Sequence, residues 1–252
     1  MLCLKHSLLL KGTLQRLLIS KVEERGVILR RGLGSERKGI KVLNKRPSGL
    51  EHSEEVISMI VGSVLGDSHL EKRKNGRGTR LKLEQCGKNV EYLMWFHNKL
   101  ASEGYCRKEK PKLKKRIREG GVYYHYQINS YTFESLNWLY ELFYKEEEGR
   151  MRKVVFKGIE RYLTPEALAV WFQEDGSRTK ETVRIATNNL KEEEIRYLCE
   201  VLKEKYGIIA SVMKGGKGRG WVLYIYKESR NEFVKLVKPY MRRTMYYKLG
   251  EP

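Results

Sequence analysis

The spacing of apolar residues changes period several times along the chain, and the changes recur in the same order. Apolar residues at helical spacing from Ser53 to Gly66 are followed by segments in which apolar and polar residues alternate, the pattern of half-buried strands. The same succession starts again at Thr164-Pro165-Glu166, where a capping threonine and a first-turn proline predict a helix start. Each run predicts helix, two strands, helix, two strands and helix. In the first run, the second pair of strands is expected over residues 105–118 and 122–130, and the last helix over residues 132–144. We therefore expect an α+β fold of two pseudo-symmetric αββαββα halves.

Composition sets the expected domain boundaries. Residues 31–53 are rich in Gly, Ser and basic side chains and have little apolar periodicity, which predicts a linker. We expect a basic N-terminal extension and linker over residues 1–52, a first half over 53–150 and a second half over 151–252.

The predicted strands carry two different faces. In Thr79–Glu84, Leu81 and Leu83 share one face, and Arg80 and Lys82 share the other. The corresponding strand of the second half alternates in the same way. We expect each antiparallel sheet to pack on helices with its apolar face. The two cationic faces, side by side, would then form a saddle wide enough for duplex DNA.

The overall charge agrees with a polyanionic partner. The chain has 252 residues with 51 Lys and Arg against 31 Asp and Glu, a formal net charge of +20. Basic residues occur along the whole length, which favours nucleic acid as the ligand. A Lys- and Glu-rich surface of the thermophilic kind is the alternative, but such surfaces usually balance the two signs.

The cysteine and hydropathy patterns bear on the cellular compartment in which we expect the protein. The four cysteines form no CxxC pair, which argues against a structural zinc site and favours reduced thiols of an intracellular protein. No apolar run reaches the length of about 20 residues that a transmembrane helix needs. We expect no membrane partner, and a location in the cytoplasm, the nucleoid or an organelle matrix. The basic, leucine-rich start from Met1 to Lys21 fits an organelle-targeting peptide, a DNA-contacting arm or a short amphipathic helix; we favour the last two.

Two predicted helices end in a carboxylate at matching places. One ends at Asp67 and the other at Asp175, and both are apolar nearly all round, so both should be buried. Gly62 and Gly66 lie four residues apart on one face of the first helix, a spacing that lets a partner helix approach closely. If the two helices pack on each other, the two aspartates meet at their shared C-terminal end.

Such a meeting requires a compensating charge. Two carboxylates repel each other, and each helix C-terminus adds partial negative charge. A proton or a cation must offset this. Magnesium prefers carboxylate, carbonyl, water and phosphate oxygens, so we expect Mg²⁺, or Mn²⁺ in its place, at this position.

At this point the sequence resembles a known family, the LAGLIDADG homing endonucleases, in the single-chain form with two motifs. The first motif is the segment MIVGSVLGD that ends at Asp67, and the second is LAVWFQEDG, which contains Asp175. The segments Lys238-Pro239-Tyr240 and Met245-Tyr246-Tyr247-Lys248-Leu249 resemble the family's terminal segment. The resemblance covers about Ser53 to Leu249. It implies a monomer that makes a metal-dependent double-strand break in a long duplex DNA target.

The resemblance also implies roles for individual residues. Asp67 and Asp175 match the metal-binding acids, and the backbone carbonyls of Gly66 and Glu174 would complete the metal site. Lys248 matches a lysine near the scissile phosphates. Its counterpart in the other active site would be Lys153, or else Arg152; we favour Lys153. Both lysines would orient water and neutralise charge on the phosphate.

Three positions depart from the family pattern. Ser68 stands where the motif prefers glycine, Val170 replaces a glycine of the helix interface, and Glu174 replaces a small or acidic residue. None of them removes a metal-binding carboxylate, but Val170 argues against fully symmetric helix packing.

Basic and amide side chains on the predicted strands are the candidate DNA contacts. Arg and Gln can pair with guanine and adenine edges, and Lys more often binds phosphates. The candidates are Arg73, Arg80, Lys82, Lys108, Lys110, Lys112, Lys114, Arg116, Arg118, Gln127, Arg178, Lys180, Arg184, Lys214, Lys217 and Arg219. The dense run from Lys108 to Arg118 also fits a flexible basic loop that contacts only phosphates.

Two other functions compete with DNA cleavage. An intron maturase or regulator would keep the fold and the basic surface, would bind intron RNA, and would no longer cut. A generic RNA-binding module without metal chemistry is the third possibility, and the paired motif helices count against it.

Overall fold

The computed structural model describes residues 52–72, 76–118, 121–187, 190–216 and 220–250. The predicted N-terminal extension, apart from residue 52, lies outside these ranges. Elements are numbered in chain order within them.

Two runs of elements follow one another in the order expected from the sequence. The helices are α1 (Glu54–Leu65), α2 (Val90–Ser102), α3 (Asn137–Phe143), α4 (Pro165–Asp175), α5 (Glu192–Tyr206) and α6 (Arg230–Val237). The strands are β1 (His69–Lys72), β2 (Thr79–Cys86), β3 (Lys114–Arg118), β4 (Gly121–Asn129), β5 (Tyr144–Glu147), β6 (Arg150–Lys153), β7 (Gly176–Arg178), β8 (Val183–Ala186), β9 (Ala210–Lys214) and β10 (Trp221–Ile225). The predicted α+β fold with two αββαββα halves is confirmed.

The two large sheets have the same topology. The first has strand order β1-β2-β4-β3 and the second β7-β8-β10-β9, with antiparallel neighbours throughout. The cross-strand pair Leu83–Ile128 of the first sheet corresponds to Ile185–Leu223 of the second, and all four side chains are buried. Because side chains alternate along a strand, these pairs fix which residues face the helices in each half. We call the opposite side of each sheet its open face.

Helices α1 and α4 pack directly on each other and join the halves. Every residue of α1 from Val56 to Leu65 is buried, and so is every residue of α4 from Ala167 to Glu174. A Cβ atom on Gly62 would lie 2.1 Å from the carbonyl oxygen of Ala167, so the close approach depends on glycine at this position.

A small hairpin, β5–β6, spans the predicted boundary at residue 150. Its turn, Glu148-Gly149, has φ angles of 51° and 73°, the left-handed conformation of a tight hairpin turn. Arg152 on β6 donates hydrogen bonds to Glu147 of the hairpin and Glu194 of α5. The hairpin therefore contacts the second half through Arg152, and it contacts the first half through Tyr144, whose hydroxyl accepts a hydrogen bond from the backbone N–H of Leu70.

Several predicted element bounds were wrong. The sequence predicted a helix over residues 132–144, but a 3₁₀ turn precedes α3 and Tyr144 already begins β5. It also predicted strand from residue 105 to 118, but regular pairing starts only at Lys114. Lys108, Lys110 and Lys112 are consequently exposed loop residues.

Candidate metal centre and open sheet faces

The two motif aspartates lie at the C-terminal ends of the packed helices. Helix α1 has Ser53 as its N-terminal cap and Gly66, directly before Asp67, as its C-terminal cap. Helix α4 begins with Thr164 as its cap and ends at Asp175. Asp67 is exposed and Asp175 is half-buried. Desolvation and, after it, the charge of Asp67 raise the pKa of Asp175, so the two carboxyls are close enough to repel each other.

The side chain of Glu174 crosses from α4 to the end of α1. Its Oε2 accepts a hydrogen bond from the backbone N–H of Asp67 at 2.7 Å, and its Oε1 accepts from Ser63 at 2.7 Å and from Tyr92 at 2.8 Å. A Cβ atom on Gly66 would lie 2.4 Å from Glu174 Oε2. Gly66 therefore lacks a side chain where Glu174 needs room.

This network explains two of the departures from the family pattern. Ser68 is buried and its hydroxyl hydrogen-bonds that of Ser63 at 2.5 Å, so a serine fits where glycine is usual. The resemblance implied a role for the carbonyl oxygen of Glu174. The side chain of the same residue also links the two motifs.

Burial and mutual repulsion change the acid strength of this cluster. Desolvation, followed by the charge of Asp67, raises the pKa of Asp175 to about 7. Desolvation and the same neighbouring charge also raise the pKa of Glu174, against the opposing effect of its three hydrogen bonds. Both shifts favour the protonated carboxyls, so a bound cation would be needed to stabilise the ionised forms.

Two lysines approach the cluster, one from each side. Lys153 Nζ donates to the carbonyl oxygens of Gly66 and Ser68, both at 3.2 Å. Lys248 Nζ donates to the carbonyls of Gln173 at 2.6 Å and Glu174 at 2.9 Å. Desolvation lowers the pKa of both ammonium groups, while the carboxylates oppose that effect.

The neighbouring basic residue has a different environment. Arg152 points to Glu147 and Glu194 and forms no hydrogen bond with the cluster. The geometry therefore separates the two alternatives that the sequence left open, Lys153 and Arg152.

A further polar contact of Asp67 was missed by the sequence analysis. Gln85 Nε2 donates to Asp67 Oδ2 at 2.5 Å, and Asn89 donates to Gln85 Oε1. Gln85 shares the helix-facing side of β2 with Leu81 and Leu83, so a search of the open face could not find it. The available signal was a polar residue at an apolar position of the alternating pattern. The corresponding residue of the second half, Thr187, hydrogen-bonds the carbonyl of Trp221 instead.

The donor set of the cluster is suited to a hard divalent cation. The carboxylates of Asp67 and Asp175 and the carbonyls of Gly66 and Glu174 are all oxygen donors, the ligands that Mg²⁺ prefers. Across the described ranges, no group of three or more His, Cys, Asp or Glu side chains could hold a metal ion. A site here would need carbonyl, water or phosphate oxygens as well, as is usual for Mg²⁺.

The open face of the first sheet carries paired charges. Arg80 and Lys82 form ion pairs with Glu71, and Arg116 forms one with Glu84. Gln127 lies opposite Glu84 and accepts a hydrogen bond from Lys114. The strand register places these predicted contacts on one face: Arg80, Lys82, Lys114, Arg116 and Gln127. Arg118 ends β3 opposite Gly121.

The second sheet places two predicted contacts on the wrong side. Arg178 pairs with Val183 and Lys214 pairs with Trp221, which puts both on the helix-facing side of the strands. Arg178 lines a cavity of about 260 Å³ with Arg230 and Gly250, and Lys214 lies over the Trp221 ring. Of the predicted contacts on these strands, Arg184 alone lies on the open face.

The remaining predicted contacts are in turns or beyond the described residues. Lys180 is exposed in the turn between β7 and β8. Arg73, Lys217 and Arg219 lie outside the described residues.

No helix within the described ranges is both long enough and apolar enough to cross a bilayer.

Comparison with known proteins agrees with this architecture. Residues 57–233 match the model of the LAGLIDADG DNA endonuclease family. The cytochrome b mRNA maturase bI2 of Saccharomyces cerevisiae is 38% identical over 199 residues, covering 77% of this chain and 47% of that protein. The bI2 maturase of Debaryomyces hansenii is 34% identical over 216 residues, covering 84% of this chain and 81% of its own. This chain therefore spans about half the length of the Saccharomyces cerevisiae relative.

A solved structure shows a similar fold over nearly the whole of its length. The homing endonuclease I-WcaI bound to its DNA recognition sequence superposes with a TM-score of 0.71 and 25% identity, covering 86% of this chain and 95% of that chain. The doubled topology, the packed motif helices and the match over residues 57–233 lead to one conclusion. The chain belongs to the LAGLIDADG DNA endonuclease family.

Proposed function

We propose that this chain is a site-specific homing endonuclease that makes a metal-dependent double-strand break in a long duplex DNA target. The observation that carries the proposal is the placement of Asp67 and Asp175 at the ends of α1 and α4, with Lys153 and Lys248 beside them. One acid and one lysine for each strand of a duplex match what two hydrolytic events require.

Each part of the cluster has a role in this proposal. Asp67 and Asp175, with the carbonyls of Gly66 and Glu174, would hold Mg²⁺ or Mn²⁺. These ions supply activation of water and stabilisation of the departing 3′ oxygen. Lys153 and Lys248 place positive charge where the phosphate becomes more negative. Gln85 orients the Asp67 carboxylate through its hydrogen bond.

Binding of the duplex would use the open faces of both sheets. The acids Glu71 and Glu84 hold Arg80 and Arg116 in place before DNA arrives. Each guanidinium is then oriented for a base edge or a phosphate. The similar structure of I-WcaI with its DNA recognition sequence supports duplex DNA as the ligand.

The test is selection of cleaved sequences from a randomised duplex library with Mg²⁺. The purified chain should yield one long, nearly asymmetric sequence, and a plasmid carrying it should be linearised. Omission of the divalent metal should leave the plasmid bound and intact. Failure to cut any member of the library with Mg²⁺ or Mn²⁺ would contradict the proposal.

A maturase function is the second candidate, because both bI2 relatives are named as cytochrome b mRNA maturases. This alternative would be supported if the purified chain bound intron RNA tightly and cleaved no DNA duplex with any divalent metal ion added. A chain with both activities would show RNA binding that survives substitution of Asp67 and Asp175.

A further inference from the structure

The open faces of the two sheets differ in chemistry. On the first sheet, Gln127 flanks the buried pair Leu83–Ile128 and faces Glu84 across the strands. The equivalent residue of the second sheet is Val222, which flanks Ile185–Leu223 and faces Ala186. An amide beside a carboxylate is thus replaced by two apolar side chains.

The difference extends along the strands of the second sheet. Val222 also pairs with Met213, which is 47% exposed, and Tyr224 pairs with Ser211. Arg184 is the single basic residue that the described register places on this open face. The same face of the first sheet carries Arg80, Lys82, Lys114 and Arg116.

The proposed function identifies what covers the apolar patch that Ala186, Met213 and Val222 form on this face. Strand β7 begins at Gly176, directly after Asp175, and its Ser177 pairs with Arg184. The open face of the second sheet is therefore continuous with the metal centre. A duplex long enough to be cut at that centre and to extend over both sheets must cover Val222 and Met213. The chemistry of the groove then selects the contact, because the thymine methyl is the apolar group that bases expose in the major groove.

We propose that the two halves read DNA by different chemistry: the first sheet by hydrogen bonds from Arg80, Arg116 and Gln127, and the second by apolar contact of Val222 and Met213 with thymine methyl groups. This inference rests on the proposed function and adds a property of the substrate. The half-site over the second sheet contains thymines whose methyl groups contribute to affinity. RNA, which carries uracil, would lose this contribution.

The test compares thymine with uracil in each half-site. Selection from a randomised duplex library is first repeated with Gln127→Ala and with Val222→Ala, and the base positions that lose their preference identify the half-site over each sheet. Duplexes are then made with deoxyuridine in place of thymidine in one half-site or the other, and binding by the full chain is measured without divalent metal.

Uracil over the second sheet should weaken wild-type binding about fourfold for each contacted methyl, the effect of exposing one buried CH₂-sized group. Uracil over the first sheet should change binding little. Val222→Ala should reduce the sensitivity to uracil, and Gln127→Ala should retain it. The ratio of thymine to uracil affinity should also stay constant as salt rises, while both affinities fall.

Met213→Ala, at a more exposed site, repeats the comparison if Val222→Ala does not fold. Equal tolerance of uracil in both half-sites would overturn the inference and leave the nuclease proposal intact. The inference would also fail if the open face of the second sheet bound RNA or protein in place of the duplex. If no duplex is bound at all, the proposed function fails, and the inference with it.

Discussion

Glu174 accepts a hydrogen bond from the backbone N–H of Asp67, a residue 107 positions earlier in the chain. The same carboxyl accepts from Ser63 and Tyr92, so one side chain of α4 fixes the end of α1. The first motif aspartate is thus held by the residue that precedes the second.

Substitution of Glu174 should lower both stability and cleavage. Glu174→Ala removes the acceptor of the Asp67 N–H and leaves the buried Tyr92 hydroxyl unpaired, and an unpaired buried group costs about 1–3 kcal/mol. We expect a lower midpoint in urea and slower cleavage by the molecules that remain folded. Tyr92→Phe removes one hydrogen-bond donor to Glu174 and leaves the bond to Asp67 in place. This variant should therefore lose stability, but its cleavage rate should fall less than that of Glu174→Ala. If Glu174→Ala cleaved DNA at the wild-type rate, the hydrogen bond between the Asp67 N–H and the Glu174 carboxylate would not be what positions Asp67.

The contact between α1 and α4 should not tolerate a methyl group at Gly62. Gly62→Ala places a Cβ atom 2.1 Å from the carbonyl oxygen of Ala167, and overpacking of this kind costs about 1–3 kcal/mol or more. Thermal unfolding measures the loss. Gly216→Ala is the matched control, because a Cβ atom there meets no atom within 4 Å. Equal stability of the two variants would mean that the helices can separate without cost.

Substitution of Lys153 should lower the cleavage rate, whereas substitution of Arg152 should lower the stability of the fold. Lys153→Met removes an ammonium group beside the carbonyl of Gly66, and we expect cleavage to fall by about 10²-fold or more. Arg152→Met breaks the hydrogen bonds to Glu147 and Glu194, and we expect a small loss of stability, because solvent screens ion pairs at the surface. Urea unfolding and single-turnover cleavage separate the two effects. The roles would be reversed if Arg152→Met, when folded, lost cleavage and Lys153→Met did not.

The raised pKa of Asp175 should make the metal-free protein less stable as pH rises. Its pKa moves from 3.8 to about 7 on folding, so between these values the folded state binds a proton that the unfolded chain has released. The free energy of unfolding contributed by this group is therefore highest below pH 4 and declines through pH 7. Unfolding without divalent metal from pH 4 to 8 should show a steeper decline for wild type than for Asp175→Asn. The raised pKa of Glu174 acts in the same direction and remains in the variant. Identical slopes would contradict the burial of Asp175 beside Asp67.

Much of the fold could be predicted because the sequence repeats a local pattern. The doubled order of elements and the two carboxylate-ended helices follow from periodicity and capping signals at Ser53 and Thr164. The β5–β6 hairpin could not be predicted in this way, because its run of acidic and basic residues does not alternate between apolar and polar positions.

The site was predictable where a residue lies within a motif and less so where it depends on strand register. Asp67, Asp175 and Lys248 lie in recognisable segments. Arg178 and Lys214 looked like contacts of the open face, but a register set by distant pairs places them on the helix-facing side. Gln85 contributes because β2 brings its core-facing amide to the end of α1. That contact depends on how two separate segments pack, so the local sequence pattern does not predict it.

The most direct test of the central claim is strand cleavage of the selected duplex by Asp67→Asn, Asp175→Asn and the double variant, with binding measured in parallel. If the two aspartates form one metal centre between the halves, each single variant should bind the duplex and fail to make the double-strand break. The double variant should be no worse folded than either. A double-strand break at the wild-type rate by either single variant would show that the paired acids do not carry the reaction.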